Sequence, residues 1–287
     1  MNPFWSRVIA PMLRAIRPRV IVEIGAAFGG NTRNLLGFAG ETGAELHVVD
    51  PVPQFDPAEL EAKAGGRMTL HRKKSLETLA EIGPADVILI DGDHNWYTVH
   101  SELGLIEGTS RGNDPELPLL FFHDVSWPYA RRDAYYVPED IPEEFRQDWA
   151  RKPIFPGSPQ LDESRGVNPG MANALVEGGP RNGVLTAIED FVEASPLALS
   201  LRTVPGYAGL GILVLDSTLA QNEELRRQWE KLEGAPFLRD HVDRMEASLN
   251  RSKALHATTA RDLAVAARKL EAAEAKLAAA GAANAAG

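Results

Sequence analysis

The sequence predicts an α/β fold: a doubly wound, mostly parallel sheet with helices on both faces, followed by a helical tail. Three observations carry this. Strand-like and helix-like segments alternate from residue 19 to residue 216. The last two strands are joined by only about five residues, too few for a parallel crossover, so that final pair is antiparallel. Residues 219–287 carry helical patterning alone.

Composition sets outer limits. The chain has 287 residues, 44% hydrophobic and 24% charged, enough apolar material for a sizeable core. A net charge of −10 argues against nucleic acid or anionic lipid as partner. Cysteine is absent, which excludes disulfides, Cys-zinc sites, iron–sulfur clusters and a thiol nucleophile. No apolar run approaches the roughly 18 residues of a membrane span. Residues 1–19 are broken by Pro3, Pro11 and Pro18 and do not read as a signal peptide, so the expected compartment is the cytoplasm.

Residues 1–18 read as a short amphipathic lead-in, and 19–216 as the main domain. Arg19–Ile24 is a β-branched run closed by Gly25, hence a buried strand. Asn31–Phe38 has helical spacing, with Asn31 or Thr32 as its cap. Ala44–Val49 and Arg67–Arg72 are the second and third strands. Ser75–Ile82 is helical with Ser75 as cap. Asp86–Ile90 is the fourth strand, Tyr97–Ile106 a helix, and Leu117–Phe122 the fifth strand. Residues 125–182 break the alternation. They hold eight of the twenty prolines and many aromatics, and read as an ordered insertion over a pocket without regular structure. Helix returns at Val184–Glu193, then strands at Leu199–Val204 and Leu210–Leu215.

In the tail, Val242, Met245, Leu249, Leu263, Leu270 and Leu277 share one heptad frame, but polar and alanine residues fill the other core slots. That is a weak coiled-coil seam, suited to self-association or a partner helix; a frayed, solvated helix is the alternative. About half of residues 254–287 are alanine, so helix propensity is high and packing thin.

The first strand runs into Glu23-Ile24-Gly25-Ala26-Ala27-Phe28-Gly29-Gly30-Asn31. Glycines there let backbone approach a ligand, and the next helix offers free N–H groups. The nicotinamide fingerprint G-x-G-x-x-G fails at Ala27. The form is E-x-G-x-x-x-G, which resembles the first motif of S-adenosylmethionine (SAM) methyltransferases. Without a ligand it is only a tight β-to-α turn. Asp50, 25 residues after Gly25, ends the second strand, where a carboxylate can accept from both ribose hydroxyls of an adenosine cofactor; the plain alternative is a turn cap before Pro51. Ser75 lies where adenine is contacted in such folds, or serves only as a helix cap.

The most informative segment is Asp91-Gly92-Asp93-His94-Asn95 at the end of the fourth strand. The neighbouring fifth strand ends in His123-Asp124. Carboxylates and imidazoles gathered at the carboxyl ends of adjacent strands suit a divalent ion such as Mg²⁺ or Mn²⁺. With these residues the chain, over 19–216, resembles the metal-dependent sugar O-methyltransferases of macrolide biosynthesis and the related cephalosporin-hydroxylase-like proteins. The resemblance implies a Rossmann-like class I methyltransferase sheet with SAM as cofactor. It implies a metal on Asp91 and Asp124, with His94, three residues beyond Asp91, as general base. Asp124 matches the second acid of that family's adjacent pair, and His123 replaces the first. Adjacent strand residues point to opposite faces, which weighs against joint ligation by His123 and Asp124; the alternative to a shared metal is that His123 packs structurally and no metal is used. Asp93 reads as a turn-shaping residue, and His94 has helix capping near Asn95 as its alternative.

The implied residues are therefore His94 and Asp91 for catalysis; Glu23, Gly25, Gly29, Gly30, Asn31, Asp50, Ser75 and Asp91 for the cofactor; and Asp91, Asp124 and His123 for a metal. Methyl transfer from a sulfonium is an in-line displacement that needs alignment and a deprotonated acceptor. Trp127, Tyr129, Arg131, Arg132, Tyr135 and Tyr136 read as the acceptor pocket for a saccharide, including a phosphate-linked one, or as a satellite core. The expected activity is methylation of a sugar or glycan hydroxyl. A phenolic small-molecule acceptor and a non-catalytic scaffold are the alternatives.

Overall fold

The computed structural model describes residues 1–109, 117–234 and 236–285, with side chains described except at 236, 237 and 277–285. The fifth strand was read over residues 117–122, all of which are described. The chain opens with a single 3-10 turn (Asn2–Phe4) and a π-helical turn (Trp5–Ile9), then runs α1 (Ala10–Ile16), β1 (Val20–Ile24), α2 (Gly30–Thr42), β2 (Glu45–Val49), α3 (Pro57–Ala64), β3 (Met68–His71), α4 (Ser75–Ile82), β4 (Val87–Ile90), α5 (Trp96–Gly108) and β5 (Leu119–His123). The insertion holds β6 (Ala134–Tyr135), β7 (Trp149–Ala150) and β8 (Ala172–Ala174). After it come α6 (Val184–Ala194), β9 (Leu199–Val204), β10 (Leu210–Leu215), α7 (Asp216–Gln221), α8 (Glu223–Lys231) and α9 (Pro236–Ala285).

Seven strands form one sheet in the order β3-β2-β1-β4-β5-β10-β9. The first five are parallel, while β10 runs antiparallel to both β5 and β9. The expected fold class is therefore the observed one, and β9 and β10 have the expected boundaries. The reversed strand lies inside the sheet rather than at its edge. Alternate strand residues face opposite sides, so each face has its own core. Ile21, Leu46, Val48, Leu89 and Phe121 pack with α1, α2, α3 and α8. Val22, Ile24, Ile88, Ile90 and Phe122 pack with α4, α5 and α6.

Several expectations are corrected. The lead-in is part of the first core: Phe4, Val8, Ile9, Met12 and Leu13 are all buried. Pro3 and Pro11 sit in first turns, where no backbone N–H is needed, so they start helical turns rather than break them. Neither Asn31 nor Thr32 caps α2; its cap position is Gly29. Ser75 is the first residue of α4, after Lys74, and its side chain makes no cap bond. Helix α3 was not anticipated, although Asp56 caps it by accepting from Ala58 N and Pro57 opens it. The insertion does contain regular structure, a small antiparallel sheet in the order β6-β8-β7. Along α9, Met245, Leu249, Leu263 and Leu270 are exposed; the Leu277 side chain lies outside the described residues. The first half of α9 docks on the domain: Thr258 and Arg261 bond the backbone of Gly166. No helix among the described residues is long and apolar enough to cross a membrane.

Candidate active site

The site forms where β1, β2, β4 and β5 end. At β1 the chain turns sharply under Asp91. Gly25 has φ +82°, and a Cβ there would stand 2.2 Å from the Asp91 carbonyl oxygen. Ala27, at the position where the dinucleotide fingerprint has glycine, is also left-handed, with φ +44°. Asp50 organises this turn. Its Oδ2 accepts from Ala26 N and Ala27 N, each at 2.9 Å, and its Oδ1 from Val52 N at 2.8 Å. The turn-cap reading of Asp50 is thus realised, and one lone-pair site on Oδ1 is left over for a further donor.

Below the turn Glu23 is buried, and Asn31 Nδ2 donates to its Oε1 at 2.9 Å. Burial pushes the Glu23 carboxyl up to about 7 against the hydrogen bonding of its neighbours, with the nearby Asp91 adding to the rise. Glu23 Oε2, Asn31 Oδ1 and Thr32 Oγ1 are buried without a partner among the described residues. Two of these are acceptor-only atoms, a set that fits an ammonium group. The neighbourhood already takes one: the Met1 amino group lies 3.1 Å from Asp91 Oδ2.

Asp91, His123 and Asp124 gather on the other side. One ligand atom from each lies within 4.8 Å of the others. The expectation that His123 and Asp124 face apart is overturned. Asp124 leaves β5 with φ +59°, a left-handed conformation that aspartate tolerates better than most residues. Strand alternation no longer applies there, and Asp124 Oδ2 comes to 2.9 Å from His123 Nδ1. Asp91 Oδ1 lies 3.3 Å from the same nitrogen. Burial opposes charge on His123, but the hydrogen bonds to Asp124 and Asp91 outweigh it and push the imidazole up to about 10. Burial acts on Asp124 in the opposite sense, and His94 with His123 together hold it well below the usual carboxylate range. Two carboxylates and an imidazole are a donor set that fits a divalent cation.

His94 is also drawn to Asp124, with Nε2 3.0 Å from Oδ2. Its other nitrogen, Nδ1, is buried and without a partner among the described residues. The ring stacks on Tyr129 at 5.1 Å and meets Tyr136 at 5.9 Å. Burial lowers its basicity, but the charge and hydrogen bond of Asp124 leave it raised. Helix capping is not its task, because Asn95 caps α5 by accepting from Thr98 N. Asp93 shapes the turn as expected, accepting from Thr98 Oγ1 at 3.0 Å.

One organiser escaped the sequence. Asp133, fully buried, accepts from Trp96 N, Gly183 N and Tyr135 Oη. It ties the start of α5, two residues past His94, to the insertion and to α6. An aspartate in a proline-rich stretch gives no signal of this kind. The two arginines beside it are corrected. Arg132 is fully buried on the carbonyl oxygens of Ala174 and Pro159, and Arg131 pairs with Glu189 of α6. Arg132 is thus closed to a ligand, whereas the Arg131 side chain stays 39% exposed in its ion pair.

Ser75 is buried at the start of α4, and the carboxyl of Glu102 on α5 lies near it. That carboxyl has no hydrogen bond of good geometry, and burial pushes it up to about 8.

Part of the chain is similar to known proteins. Residues 22–125 match the Methyltransf_24 family, a methyltransferase domain. No curated protein sequence matches the chain. Similar solved structures include the SAH-bound methyltransferase PaMTH1 of Podospora anserina, at 18% identity over 72% of this chain and 76% of that one, with a TM-score of 0.42. Another is the O-methyltransferase TomG of Streptomyces achromogenes in complex with SAM, at 14% identity over 71% and 76%, with a TM-score of 0.41. A third is the Bacillus cereus O-methyltransferase in complex with SAH, at 15% identity over 71% and 77%, with a TM-score of 0.40. The matched segment runs from β1 to just past β5 and contains Glu23, Asp50, Asp91, His94 and Asp124, so this part of the chain, on its mostly parallel Rossmann-like sheet, is similar to a methyltransferase domain.

Proposed function

We propose that the protein is a SAM-dependent O-methyltransferase acting on a hydroxyl of a neutral sugar or glycan, with His94 as general base. The observation that carries this is the pairing of His94 Nε2 with Asp124 beside the glycine turn, which leaves Nδ1 unpartnered. An imidazole fixed by a carboxylate on one nitrogen and unpartnered on the other can take a proton from a hydroxyl brought against it.

SAM supplies the sulfonium methyl. Glu23 and Asn31 offer acceptor oxygens for its ammonium, and Gly25, Gly29 and Gly30 form the turn around its amino-acid half. Asp50 has an acceptor site left for the ribose, and Ser75 stands at the adenine end. Asp91, His123 and Asp124 would hold a Mg²⁺ or Mn²⁺ ion, which supplies Lewis acidity toward the acceptor hydroxyl. Asp91 then serves both the cofactor side and the catalytic side. His123 must yield its proton to become a ligand.

The acceptor is argued from the walls. Tyr136 is exposed beside His94 and offers an aromatic face to sugar C–H groups. With Arg131 and Arg132 engaged elsewhere, a neutral acceptor fits better than a phosphate-linked one. Exposed apolar residues on α9 are where a second copy or a partner helix would pack.

Calorimetry with SAM, SAH and NAD, followed by tritiated-methyl uptake on a set of pyranosides and phenols, tests the reading. Binding of SAM and SAH with label on pyranosides is expected. Binding of NAD alone would overturn it, and label on phenols alone would move the acceptor to that class.

A further inference from the structure

The imidazole of His94 has one freedom that its pairing with Asp124 does not remove. Nε2 lies 3.0 Å from Asp124 Oδ2, and the His94 carbonyl oxygen accepts from Ala134 N at 2.8 Å, so the backbone and one ring nitrogen are held. The second side-chain torsion of histidine has only a broad, two-fold preference, and rotation about it swings Nδ1. Tyr129 sets the plane. Its ring lies 5.1 Å from the imidazole and 12° from parallel, an offset stack in direct contact with it. Tyr136 meets the same imidazole at 43° and is itself exposed, so it fixes no plane.

Tyr129 is held at both ends. Its carbonyl oxygen accepts from Val184 N at 2.9 Å, at the start of α6. Its hydroxyl accepts from Asn168 Nδ2 at 2.7 Å and donates to Asn173 Oδ1 at 3.4 Å. Asn173 is fully buried in β8, and its Nδ2 donates to the carbonyl oxygens of Lys152 and Asn168. Burial raises the phenol above its usual range, so the hydroxyl keeps the proton it donates. Only 5% of Tyr129 is exposed, so it is not the acceptor wall that the sequence suggested; its ring is turned inward onto the imidazole.

We propose that Tyr129 is the positioning residue of the base, with Asn168 and Asn173 as its anchors. The anchored ring confines the imidazole to one plane, so Nδ1 is aligned before an acceptor arrives and no search over ring orientations precedes proton transfer. Tyr129 acts through His94 alone and touches neither cofactor nor acceptor. The proposal rests on the reading of His94 as general base in a SAM-dependent methyltransferase.

The test is nuclear magnetic resonance of the full chain labelled with ¹⁵N at its seven histidines, the His94 ring being assigned by its loss in His94→Ala. The wild type should show one narrow set of His94 ring signals. Tyr129→Leu, which removes the stacked face, should broaden or double them, and Tyr129→Phe, which keeps it, should restore most of the wild-type pattern. Methyl transfer to the best acceptor among the pyranosides and phenols above should follow the spectra. In Tyr129→Leu kcat should fall roughly 10- to 100-fold with KM unchanged, and in Tyr129→Phe most of the rate should return. SAH affinity should be equal in all three proteins, which a general loss of structure would not allow. An unchanged His94 spectrum in Tyr129→Leu overturns the proposal, as does a wild-type ring already averaged over several orientations. A wild type that neither binds SAH nor transfers methyl overturns the methyltransferase reading instead, and the spectra still decide whether Tyr129 holds the ring.

Discussion

His94 Nε2 lies 3.0 Å from Asp124 Oδ2, and Asp124 can reach it because its backbone is left-handed at the end of β5. The pairing leaves the second imidazole nitrogen as the open one. Removing the imidazole by His94→Ala should lower kcat for methyl transfer by about 10²–10⁴ and leave SAH affinity unchanged. Asp124→Asn keeps the left-handed backbone, which asparagine also tolerates, but not the charge, so it should lower kcat as well. Initial rates and SAH calorimetry on both variants check this, and an active His94→Ala enzyme would remove His94 from the chemistry.

Metal binding has its own readout. Mn²⁺ added to the protein should give a saturable signal in electron paramagnetic resonance, and Asp91→Asn and Asp124→Asn should each abolish most of it. Chelator treatment of the wild type should lower the rate of methyl transfer, with recovery on adding Mg²⁺ or Mn²⁺. A wild type that binds no Mn²⁺ would leave the three side chains as a purely proton-held cluster.

The glycines of the first turn are not equivalent. Gly25→Ala would place a methyl group 2.2 Å from the Asp91 carbonyl oxygen at a positive φ, so β1 and β4 must part. We expect a loss of roughly 2–4 kcal/mol of stability together with SAM binding. Gly30→Ala meets nothing nearer than the Asn2 side chain at 3.9 Å, so it should melt within a degree or two of the wild type, as surface substitutions typically do. Thermal melts of the two variants separate these outcomes; equal melting temperatures would contradict the geometry.

Buried acids set the pH dependence of stability. Glu102 is raised from 4.5 to about 8 by burial, with Asp93 adding to it, and Glu23 to about 7. A carboxyl with a raised folded-state pKa binds its proton more tightly when folded. Its contribution is complete below the unfolded pKa and is lost as pH rises toward the folded one. Stability should therefore fall between about pH 4.5 and pH 8, by at most about 1.4 kcal/mol per pH unit for each group. Glu102→Gln should flatten part of that slope, being near neutral at pH 5 and stabilising at pH 8. Urea unfolding at both pH values measures it, and an unchanged slope would show that Glu102 does not titrate in this range.

The parallel strands were legible because β-branched runs such as Val20–Ile24 and Val87–Ile90 must be buried on both faces. The gathering of the candidate residues was legible because five of them end strands that the topology brings side by side. Helix α3 was not, since Leu60 and Ala64 are its only buried residues and leave almost no apolar period. The strands of the insertion, two or three residues each, are too short for alternation to register. The orientation of Asp124 was misjudged because strand alternation was carried one residue past the strand, where φ changes sign. Asp133 was invisible for another reason: it acts chiefly through backbone groups far away in sequence, and nothing local marks it.

The small sheet of the insertion meets the active site through the chain itself, since Ala134 N donates to His94 O at 2.8 Å and Asp133 holds Trp96 N. The roof and the imidazole are thus clamped as one piece. Trimming the roof to widen the acceptor range would unmoor the imidazole that we propose as the base. Retuning specificity has to proceed by exchanging side chains along the rim, beginning with Tyr136, while the masonry behind it stays intact.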